Sequence, residues 1–365
     1  MFLVTYNHLS SMKKIRVGVI GLGGRATSHC KAIQSNNLRL VAVADPQEHL
    51  CAKFKNDYAI DKSYNSHLEL IKDNEIDAVV ITLGHQLHHK LTIDCCNAGK
   101  HVLVEKPMAL SLEQCDEMIL AAQSNNVKLQ VGLSQRYYGT SIKAKEILDS
   151  NEIGPIVSAL CFMNKNWGSN ADDYSNRRPQ YRSRYHGGGM WLTNGVHVVD
   201  RLSWVIGSQA SSVSASVGNK SRYQAADDYG SAFIRYKNGV TGHAQAIGYL
   251  NGAFNGECYV IGTKGSLRFA QHPEKFVKLG KNEEWADIAF DDPPNEAHNE
   301  WLYFNESITK DLEPSTHGDW GKHIMEILFA AEQSSITSKE VFLNNYSNYF
   351  AQASGEIVSG NFSWI

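Results

Sequence analysis

Short apolar runs alternate with helical patterns from Lys14 to about residue 135. The runs "KIRVGVI", "LRLVAVAD", "DAVVITLG", "HVLVEK" and "VKLQVGLS" have the length and the branched side chains of buried strands. Between the last two lies "SLEQCDEMILAAQSNN", where Ser111 is placed to cap a helix whose apolar side recurs at helical spacing: Leu112, Cys115, Ile119 and Ala122. This alternation predicts an α/β domain with a doubly wound parallel sheet.

After about residue 150 the runs become longer and alternate in polarity, as in "SSVSASVGNK", "YGSAFIRYKNGVTGHAQAIGY" and "GECYVIGTKGSLRF". The turn sequences "KNG" and "TKG" lie between such runs and indicate hairpins of an antiparallel sheet. Helices are predicted from about Gly189 through "MWLTNGVHVVDRLSWVI" and near 298–311 and 318–335, where they cover one face of the sheet. The second half is therefore predicted to be an α+β domain with a large, mostly antiparallel sheet.

Length and composition narrow the range of functions. A chain of 365 residues predicts two or three domains, and we expect a disordered tail at 1–12, a first domain at 13–135 and a second at 136–365. The net charge is −3 and no long basic stretch occurs, so a nucleic-acid partner is not expected. No apolar stretch is long enough to span a membrane, and the opening "MFLVTYNHLSSM" is too short and polar for a signal peptide.

The seven cysteines are scattered and show no C-x-x-C spacing. This pattern suggests neither a disulfide framework nor a zinc site, and no metal is expected. We interpret them as reduced thiols of a cytoplasmic protein.

A nucleotide site is predicted directly after the first strand. The sequence "GLGGRATSH" places Gly21, Gly23 and Ala26 at the spacing of the G-x-G-x-x-G/A fingerprint, with a helix behind it. Such glycines let the backbone approach a pyrophosphate at a helix N-terminus, as in a Rossmann domain. Asp45 ends the second strand, where a carboxylate accepts hydrogen bonds from an adenosine ribose.

The same carboxylate favours NAD over NADP. Asp45 would repel a 2′-phosphate, and the following Pro46-Gln47 supplies no arginine to neutralise one. Two alternatives stay open: the glycines only turn the chain while Asp45 caps the next helix, or the cofactor is FAD, which uses the same fingerprint.

Two further motifs carry candidate catalytic groups. The fifth strand delivers Glu105-Lys106-Pro107 to the carboxyl ends of the sheet, where open α/β folds bind ligands, and a lysine partly removed from water there suits proton transfer. In "YHGGGMWLTNGVHVVDRLSW", three glycines precede a helix that carries His197 and Asp200 on one face, the composition of an acid–base pair. Thr193 lies four residues before the histidine.

Together these segments resemble the glucose–fructose oxidoreductase/inositol dehydrogenase (Gfo/Idh/MocA) family. The resemblance rests on "VGVIGLGGRATSH", "VAVAD", "GKHVLVEKPMALS", "GGGMWLTNGVHVVD" and "GTKGSLRF" in the order typical of the family. It implies an N-terminal Rossmann domain, a C-terminal domain whose open sheet face forms homodimers or homotetramers, and NAD- or NADP-dependent oxidoreduction of sugars, cyclitols and related small molecules.

The resemblance also implies roles for single residues. Lys106 matches the family's active-site lysine, His197 its active-site histidine and Asp200 the aspartate that ends the motif. Thr193 departs from the family, where many members have an aspartate that completes a proton relay. The predicted cofactor-binding residues are Gly21, Gly23, Gly24, Arg25, Ala26, Asp45, His88, Glu105 and Lys106, and the predicted substrate-binding residues are Lys106, Trp167, Arg184, Thr193, Asn194 and His197.

We expect hydride transfer between nicotinamide and a secondary alcohol or ketone, with Lys106 and His197 meeting at one substrate oxygen and Asp200 orienting the histidine. Arginines in "NRRPQYRSRYHGGG" suit an acidic substrate, although a solvated loop explains them equally well. Two rival functions remain: an enzyme that cleaves glycosides through transient oxidation by tightly held NAD, and a dinucleotide-binding sensor without turnover.

Overall fold

The computed structural model describes residues 14–166, 183–220, 226–249, 252–295 and 297–343, so the predicted tail lies outside the described residues. These residues divide into two compact units. The first contains the chain up to Met108 together with Glu113–Gly132 and Pro293–Gly321, and the second contains Ala109–Leu112, Leu133–Asp292 and the chain from Lys322 onward.

The first unit is built on a parallel sheet of six strands in the order β3-β2-β1-β4-β5-β6. The strands are β1 (Arg16–Ile20), β2 (Arg39–Ala44), β3 (Lys62–Tyr64), β4 (Ala78–Ile81), β5 (His101–Glu105) and β6 (Leu129–Gly132). The helices between them are Gly24–Ser35, Glu48–Tyr58, His67–Leu70, His88–Asn97 and Leu112–Ser124. The predicted doubly wound fold is confirmed, and only the three-residue β3 was not predicted, because it is too short to show a pattern.

Burial explains why the apolar runs became strands. The side chains of β4 are fully covered, as expected for a parallel sheet with helices on both faces. The helix Leu112–Ser124 begins directly after Ser111, and the predicted apolar side, Leu112, Cys115, Ile119 and Ala122, is buried.

A late part of the chain completes the first unit. The helix His298–Thr309 buries Trp301 and Phe304 in the same core as Val17 and Val19 of β1. Farther along, the backbone and hydroxyl of Thr316 bond to Val131 in β6. Residues 293–321 therefore belong with the first unit, which differs from the predicted extent of 13–135. Since they lie far from that unit in the sequence, periodicity alone could not assign them to it.

The second unit contains a sheet of nine strands in the order β14-β13-β12-β11-β7-β10-β9-β8-β15. Its strands are β7 (Ile156–Asn166), β8 (Ala210–Gly218), β9 (Tyr229–Tyr236), β10 (Thr241–Tyr249), β11 (Asn255–Gly262), β12 (Ser266–His272), β13 (Phe276–Lys281), β14 (Glu284–Asp287) and β15 (Val341–Phe342). All neighbouring pairs are antiparallel except β7 with β10. Both predicted hairpins occur, β9–β10 and β11–β12, which confirms the mostly antiparallel sheet.

Helices cover one face of this sheet. They are Gly139–Asp149, Val196–Ile206 and Gly318–Thr337, the last of which begins in the first unit. The side chains of Leu202 and Ile206 lie against Gly242 of β10, and the hydroxyls of Ser203 and Tyr236 are hydrogen-bonded at 3.0 Å. No helix of the described segments is both long enough and apolar enough to cross a bilayer.

One prediction about the cysteines is wrong. Cys161 of β7 and Cys258 of β11 lie directly opposite each other in the ladder and form a disulfide. The two cysteines are separated by 97 residues in the sequence, and only the strand register brings them together. The other five cysteines, Cys30, Cys51, Cys95, Cys96 and Cys115, are buried free thiols.

Candidate active site

The glycine-rich loop after β1 has the geometry of a phosphate-binding turn. Gly21 has φ of 88°, and a Cβ atom there would collide with Leu83, so the backbone and the packing both require glycine. Gly23 occupies the N-cap of the helix Gly24–Ser35, whose end carries no side-chain cap. A Cβ atom at Gly24 would meet nothing within 4 Å. Open backbone at a helix N-terminus is the arrangement that accepts a pyrophosphate.

Asp45 is tied to this loop by its carboxylate. One oxygen accepts the amide of Leu22 at 2.9 Å, and the other accepts the amide of Gln47 at 2.9 Å, where the next helix begins. Asp45 therefore forms a turn just before the next helix and also secures the glycine loop. Ala26, in the first turn of the helix behind this loop, is buried. Each carboxylate oxygen has a second lone pair, so these bonds leave acceptor capacity for ribose hydroxyls.

Glu105, at the end of β5, is the centre of a buried polar chain. Its carboxylate pairs with Nε of Arg25 at 2.7 Å and with Nε2 of His29 at 3.0 Å. Nδ1 of His29 accepts the indole N–H of Trp301 at 3.0 Å. Because an indole only donates, Nε2 carries the His29 hydrogen and donates it to Glu105.

This chain keeps Glu105 charged. Burial alone would raise the pKa of Glu105, but the Arg25 charge and the His29 hydrogen bond hold that pKa well below its ordinary range. Arg25 lies in the first turn of the helix behind the glycine loop, so Glu105 links the predicted phosphate site to the strand end that presents Lys106.

Lys106 is partly exposed, and its amide donates to the Glu105 carboxylate at 3.2 Å. His88 is fully buried, with Nδ1 at 2.8 Å from the carbonyl of Pro107 and Nε2 at 3.3 Å from that of Leu83. Burial lowers the pKa of His88, so its single N–H serves the closer carbonyl of Pro107. In this structure His88 supports the backbone beside Lys106 from within the core.

The second candidate motif begins with a tight glycine turn in the second unit. Gly187 and Gly189 have φ of 77° and 108°. The carbonyl of Gly189 accepts both the amide of Thr193, at 3.1 Å, and its hydroxyl, at 2.5 Å. Asn194 then donates to that hydroxyl at 3.0 Å. Thr193 is thus a buried hydroxyl bonded to backbone, which does not replace the acidic group found in many family members.

His197 lies in the first turn of the helix Val196–Ile206, which continues a π-helical segment, Trp191–Gly195. Asp200 is completely buried in a two-point ion pair with Arg136, one bond of which is 3.2 Å long. Asp200 thus has a structural partner that the sequence did not indicate. Lys106 and His197 belong to different units, and their convergence on one substrate oxygen stays a prediction.

One predicted substrate contact, Arg184, has a partner inside the second unit. It forms a two-point pair with Glu332 at 2.8 and 2.9 Å, so its charge is already matched. Trp191 of the π-helical segment is buried and donates its indole N–H to the carbonyl of Leu328 at 3.1 Å. Trp167, Arg177, Arg178 and Arg182 lie outside the described residues.

Sequence reasoning missed Asp227, which holds the glycine turn from the side. One carboxyl oxygen accepts the amide of Trp191 at 2.6 Å, and a Cβ atom at Gly189 would collide with the other. Burial and the charge of Glu332 raise the pKa of Asp227 to about 8, although the Trp191 amide and Arg184 oppose this shift. Asp227 stands in a loop before β9 in no recognisable motif, so only the fold reveals its role.

Comparison with known proteins decides the family. Residues 15–133 match the family model described as "Oxidoreductase family, NAD-binding Rossmann fold" of GFO_IDH_MocA. Residues 141–268 match the GFO/IDH/MocA C-terminal domain, and the two matches together span about two thirds of the chain. The chain belongs to the Gfo/Idh/MocA family. It is therefore an oxidoreductase whose Rossmann domain binds a nicotinamide cofactor.

Relatives within the Gfo/Idh/MocA family align over much of the chain. Myo-inositol 2-dehydrogenase of Thermotoga maritima is 26% identical over 90% of this chain and 98% of its own. scyllo-Inositol 2-dehydrogenase (NAD(+)) of Bacillus subtilis is 26% identical over 70% of this chain and 73% of its own. A solved levoglucosan dehydrogenase, in complex with NADH and L-sorbose, superposes with a TM-score of 0.82 at 21% identity, covering 91% of this chain and 99% of that one.

Asp227 makes stability depend on pH. The folded carboxyl stays protonated up to pH of about 8, whereas the unfolded one ionises near pH 4, so unfolding releases a proton between these values. The free energy of unfolding should therefore fall as pH rises through this window, by at most about 1.4 kcal/mol per pH unit. In Asp227→Asn this fall should disappear. The free energy of unfolding of the variant, relative to that of the native protein, should therefore rise from pH 5 to pH 8.

Urea unfolding at pH 5, 7 and 9 measures the free energy of unfolding of the variant and of the native protein. Asp228→Asn, which makes the same replacement at the neighbouring buried residue, is the matched control. A constant gap between Asp227→Asn and the native protein at all three pH values would show that the carboxyl is ionised throughout.

Proposed function

We propose that the protein is an NAD-dependent dehydrogenase acting on a secondary alcohol of a sugar, cyclitol, sugar acid or related hydroxylated ring, or on the corresponding ketone. The observation that carries the proposal is the first unit's loop, where an uncapped helix N-terminus, the required Gly21 and the Asp45 carboxylate lie together. The family relatives named for myo-inositol and scyllo-inositol support the substrate class.

Asp45 supports NAD over NADP. Its carboxylate is fixed in place by the amides of Leu22 and Gln47, so it does not swing away from an incoming 2′-phosphate. A phosphate dianion brought beside a fixed carboxylate is repelled, whereas two ribose hydroxyls are accepted as donors. Relatives named or solved with NAD(+) or NADH agree with this choice.

The residues of this chain bind the cofactor, orient the substrate and move a proton. A bound nicotinamide ring supplies the acceptor or donor of hydride. The backbone of the glycine loop holds the pyrophosphate and Asp45 the ribose. The Lys106 ammonium holds the reacting oxygen and stabilises the negative charge that develops on it. His197 accepts the hydroxyl proton during oxidation and returns it during reduction.

Glu105 prepares Lys106 for this role. Its carboxylate accepts the Lys106 amide and is itself fixed by Arg25 and His29, so the strand end is held from two sides. In the second unit, the Gly189 turn and the Asp200–Arg136 pair hold the helix that carries His197. Catalysis gains from such fixed supports because the reacting groups need no reordering.

We also propose that the open face of the second sheet joins copies of the chain into a homodimer or homotetramer. On β7, Val157 and Leu160 are 55% and 38% exposed. The strand register places Leu160 beside His243 on β10 and Tyr259 on β11. An exposed leucine between a histidine and a tyrosine in the middle of a large sheet supports a surface that another copy covers.

Loss of the two acid–base groups should abolish turnover. Lys106→Met and His197→Ala should each lower kcat by about 100- to 10,000-fold, because a positioned proton-transfer group contributes that much. Nicotinamide absorbance with a panel of polyols, aldoses and sugar acids measures the rate, and NADH fluorescence shows that the cofactor still binds.

The controls are Lys90→Met and His49→Ala, which alter exposed side chains of the first unit. Full activity in both catalytic variants would remove Lys106 and His197 from the mechanism. Consumption of glycosides without accumulating NADH would instead favour the glycoside-cleaving alternative.

Cofactor preference should depend on Asp45. Asp45→Ser should shift the ratio of kcat/KM for NADP to that for NAD by at least about tenfold, equivalent to about 1.4 kcal/mol, because it removes a negative charge beside the 2′ position. The ratio is the proper measurement, since loss of the Leu22 and Gln47 hydrogen bonds lowers both values. Asp57→Ser, at an exposed site on the next helix, is the control. An unchanged ratio would contradict this role of Asp45.

The association state should depend on the open sheet face. Light scattering coupled to size-exclusion chromatography should give a multiple of the 40.6 kDa chain mass for the native protein. Leu160→Glu should shift it toward the single-chain mass, because a buried unpaired carboxylate is costly. Leu312→Glu, at a leucine that is 42% exposed in the first unit, should leave the mass unchanged. A native protein that elutes at the single-chain mass would exclude the interface.

A further inference from the structure

Arg201 is a buried cation without a matching anion. It follows Asp200 on the helix Val196–Ile206 and is only 3% exposed. Its Nε atom is buried without a hydrogen-bond partner in the part of the chain that the structure describes. Burial lowers the pKa of Arg201 to about 10, so the side chain is still a cation at neutral pH. An unpaired cation inside a protein is destabilising, which makes its presence there informative.

The carboxylate whose charge acts on Arg201 is already paired with another residue. Both oxygens of Asp200 bond to Arg136, so Arg201 feels its charge only at longer range. Among the described residues, Arg201 forms no ion pair of its own. Two guanidinium groups therefore share one carboxylate, and the interior keeps an excess positive charge near position 201.

An aromatic series leads from Arg201 to a second cation. Tyr138, which interacts electrostatically with Arg201, has its ring 6.3 Å from that of His272. His272 stacks on Phe254 at 5.2 Å, and the Lys165 ammonium stands 6.0 Å above the Phe254 ring. Burial lowers the pKa of Lys165 as well. Positive groups thus lie at both ends of a row of flat rings.

The position of Arg201 relates it to the reaction. His197 and Arg201 are four residues apart on one helix, so they lie on the same face with Cβ atoms about 5–6 Å apart. A guanidinium one turn from an acid–base imidazole can reach a group two or three bonds away from a reacting carbon. A planar fork of N–H donors matches a carboxylate better than any neutral hydroxyl.

We propose that Arg201 binds a carboxylate of the substrate, so that the substrate is a sugar acid or a related hydroxylated ring acid. This inference rests on the proposed dehydrogenase function and narrows its substrate class. A substrate carboxylate supplies the missing negative charge and meets the unpaired donor of the guanidinium. The cost of holding Arg201 without a partner is then recovered when substrate binds.

Matched substrate pairs test the proposal. The pairs are D-glucuronate with D-glucose, D-galacturonate with D-galactose, and D-gluconate with D-glucitol. The native protein should turn over or bind the acid of at least one pair better than its neutral partner. Calorimetric titration of the NADH-loaded protein gives the preference for pairs that are not turned over.

Arg201→Gln should reduce the acid preference about 10- to 100-fold, the usual effect of losing a charged hydrogen bond, while leaving the neutral member almost unchanged. Arg201→Lys should restore part of the preference, because it returns the charge without the planar fork. Arg235→Gln, at an exposed arginine of the same unit, is the control.

Thermal unfolding separates binding from a structural role. Arg201→Met should keep or raise the melting temperature, since it removes a buried unpaired charge. A melting temperature lowered by several degrees would identify Arg201 as a structural group and overturn the proposal. So would a native protein without acid preference in any pair, or an equal loss for acid and neutral members in Arg201→Gln.

Failure here is distinguishable from failure of the dehydrogenase function. NADH formation with neutral polyols alone would keep the proposed reaction and exclude the carboxylate. Absence of NADH formation with every substrate, together with preferred binding of acids, would keep Arg201 and exclude the reaction.

Discussion

A buried negative charge at Glu105 organises the first unit. A carboxylate without water must be surrounded by donors, and here the donors come from the helix behind the glycine loop and from the backbone of Lys106. Each of these donors lies in or beside the proposed cofactor and catalytic residues. Removing the carboxylate would leave Arg25 and His29 without their common acceptor, and Trp301 would lose the support of a fixed His29 ring. The helix behind the loop and the backbone of Lys106 are therefore held by one buried charge.

Two arginines of the second unit are matched by carboxylates in the same way. Arg136 and Arg184 each have a carboxylate held at two points, and such pairs fix the surrounding backbone more than they stabilise the fold. Arg201 has no such carboxylate among the described residues, and the raised pKa of Asp227 keeps its carboxyl protonated at neutral pH. Both lie close in sequence or space to the helix of His197. Unmatched or shifted charges concentrate where a protein does chemistry, because folding alone gives no reason to keep them.

The fold was predictable from sequence because its signals are local. Buried strands, helix starts and the hairpins "KNG" and "TKG" depend on neighbours within a few residues, and they appear where expected. Residues such as Gly21 and Asp45 were predictable because their spacing is tied to one supersecondary unit. Trp301, Asp227 and the Cys161–Cys258 disulfide were not, because each depends on contacts between distant segments. The ligand contacts of Arg184 and His88 stay predictions, and the sequence did not reveal the partners that these side chains have within the fold, Glu332 and a backbone carbonyl.

The late return of residues 293–321 to the first unit bears on how this chain can be divided. Trp301 donates to His29 and fills the core beside β1, so a fragment that stops near residue 135 carries a hole where an indole ring belongs. Such a fragment is an incomplete folding unit, and grafting it onto another protein would transfer a weakened nucleotide site. The nascent chain also lacks residues 293–321 for most of its synthesis. Its first unit cannot finish packing until the ribosome has made residues 133–292 of the second unit.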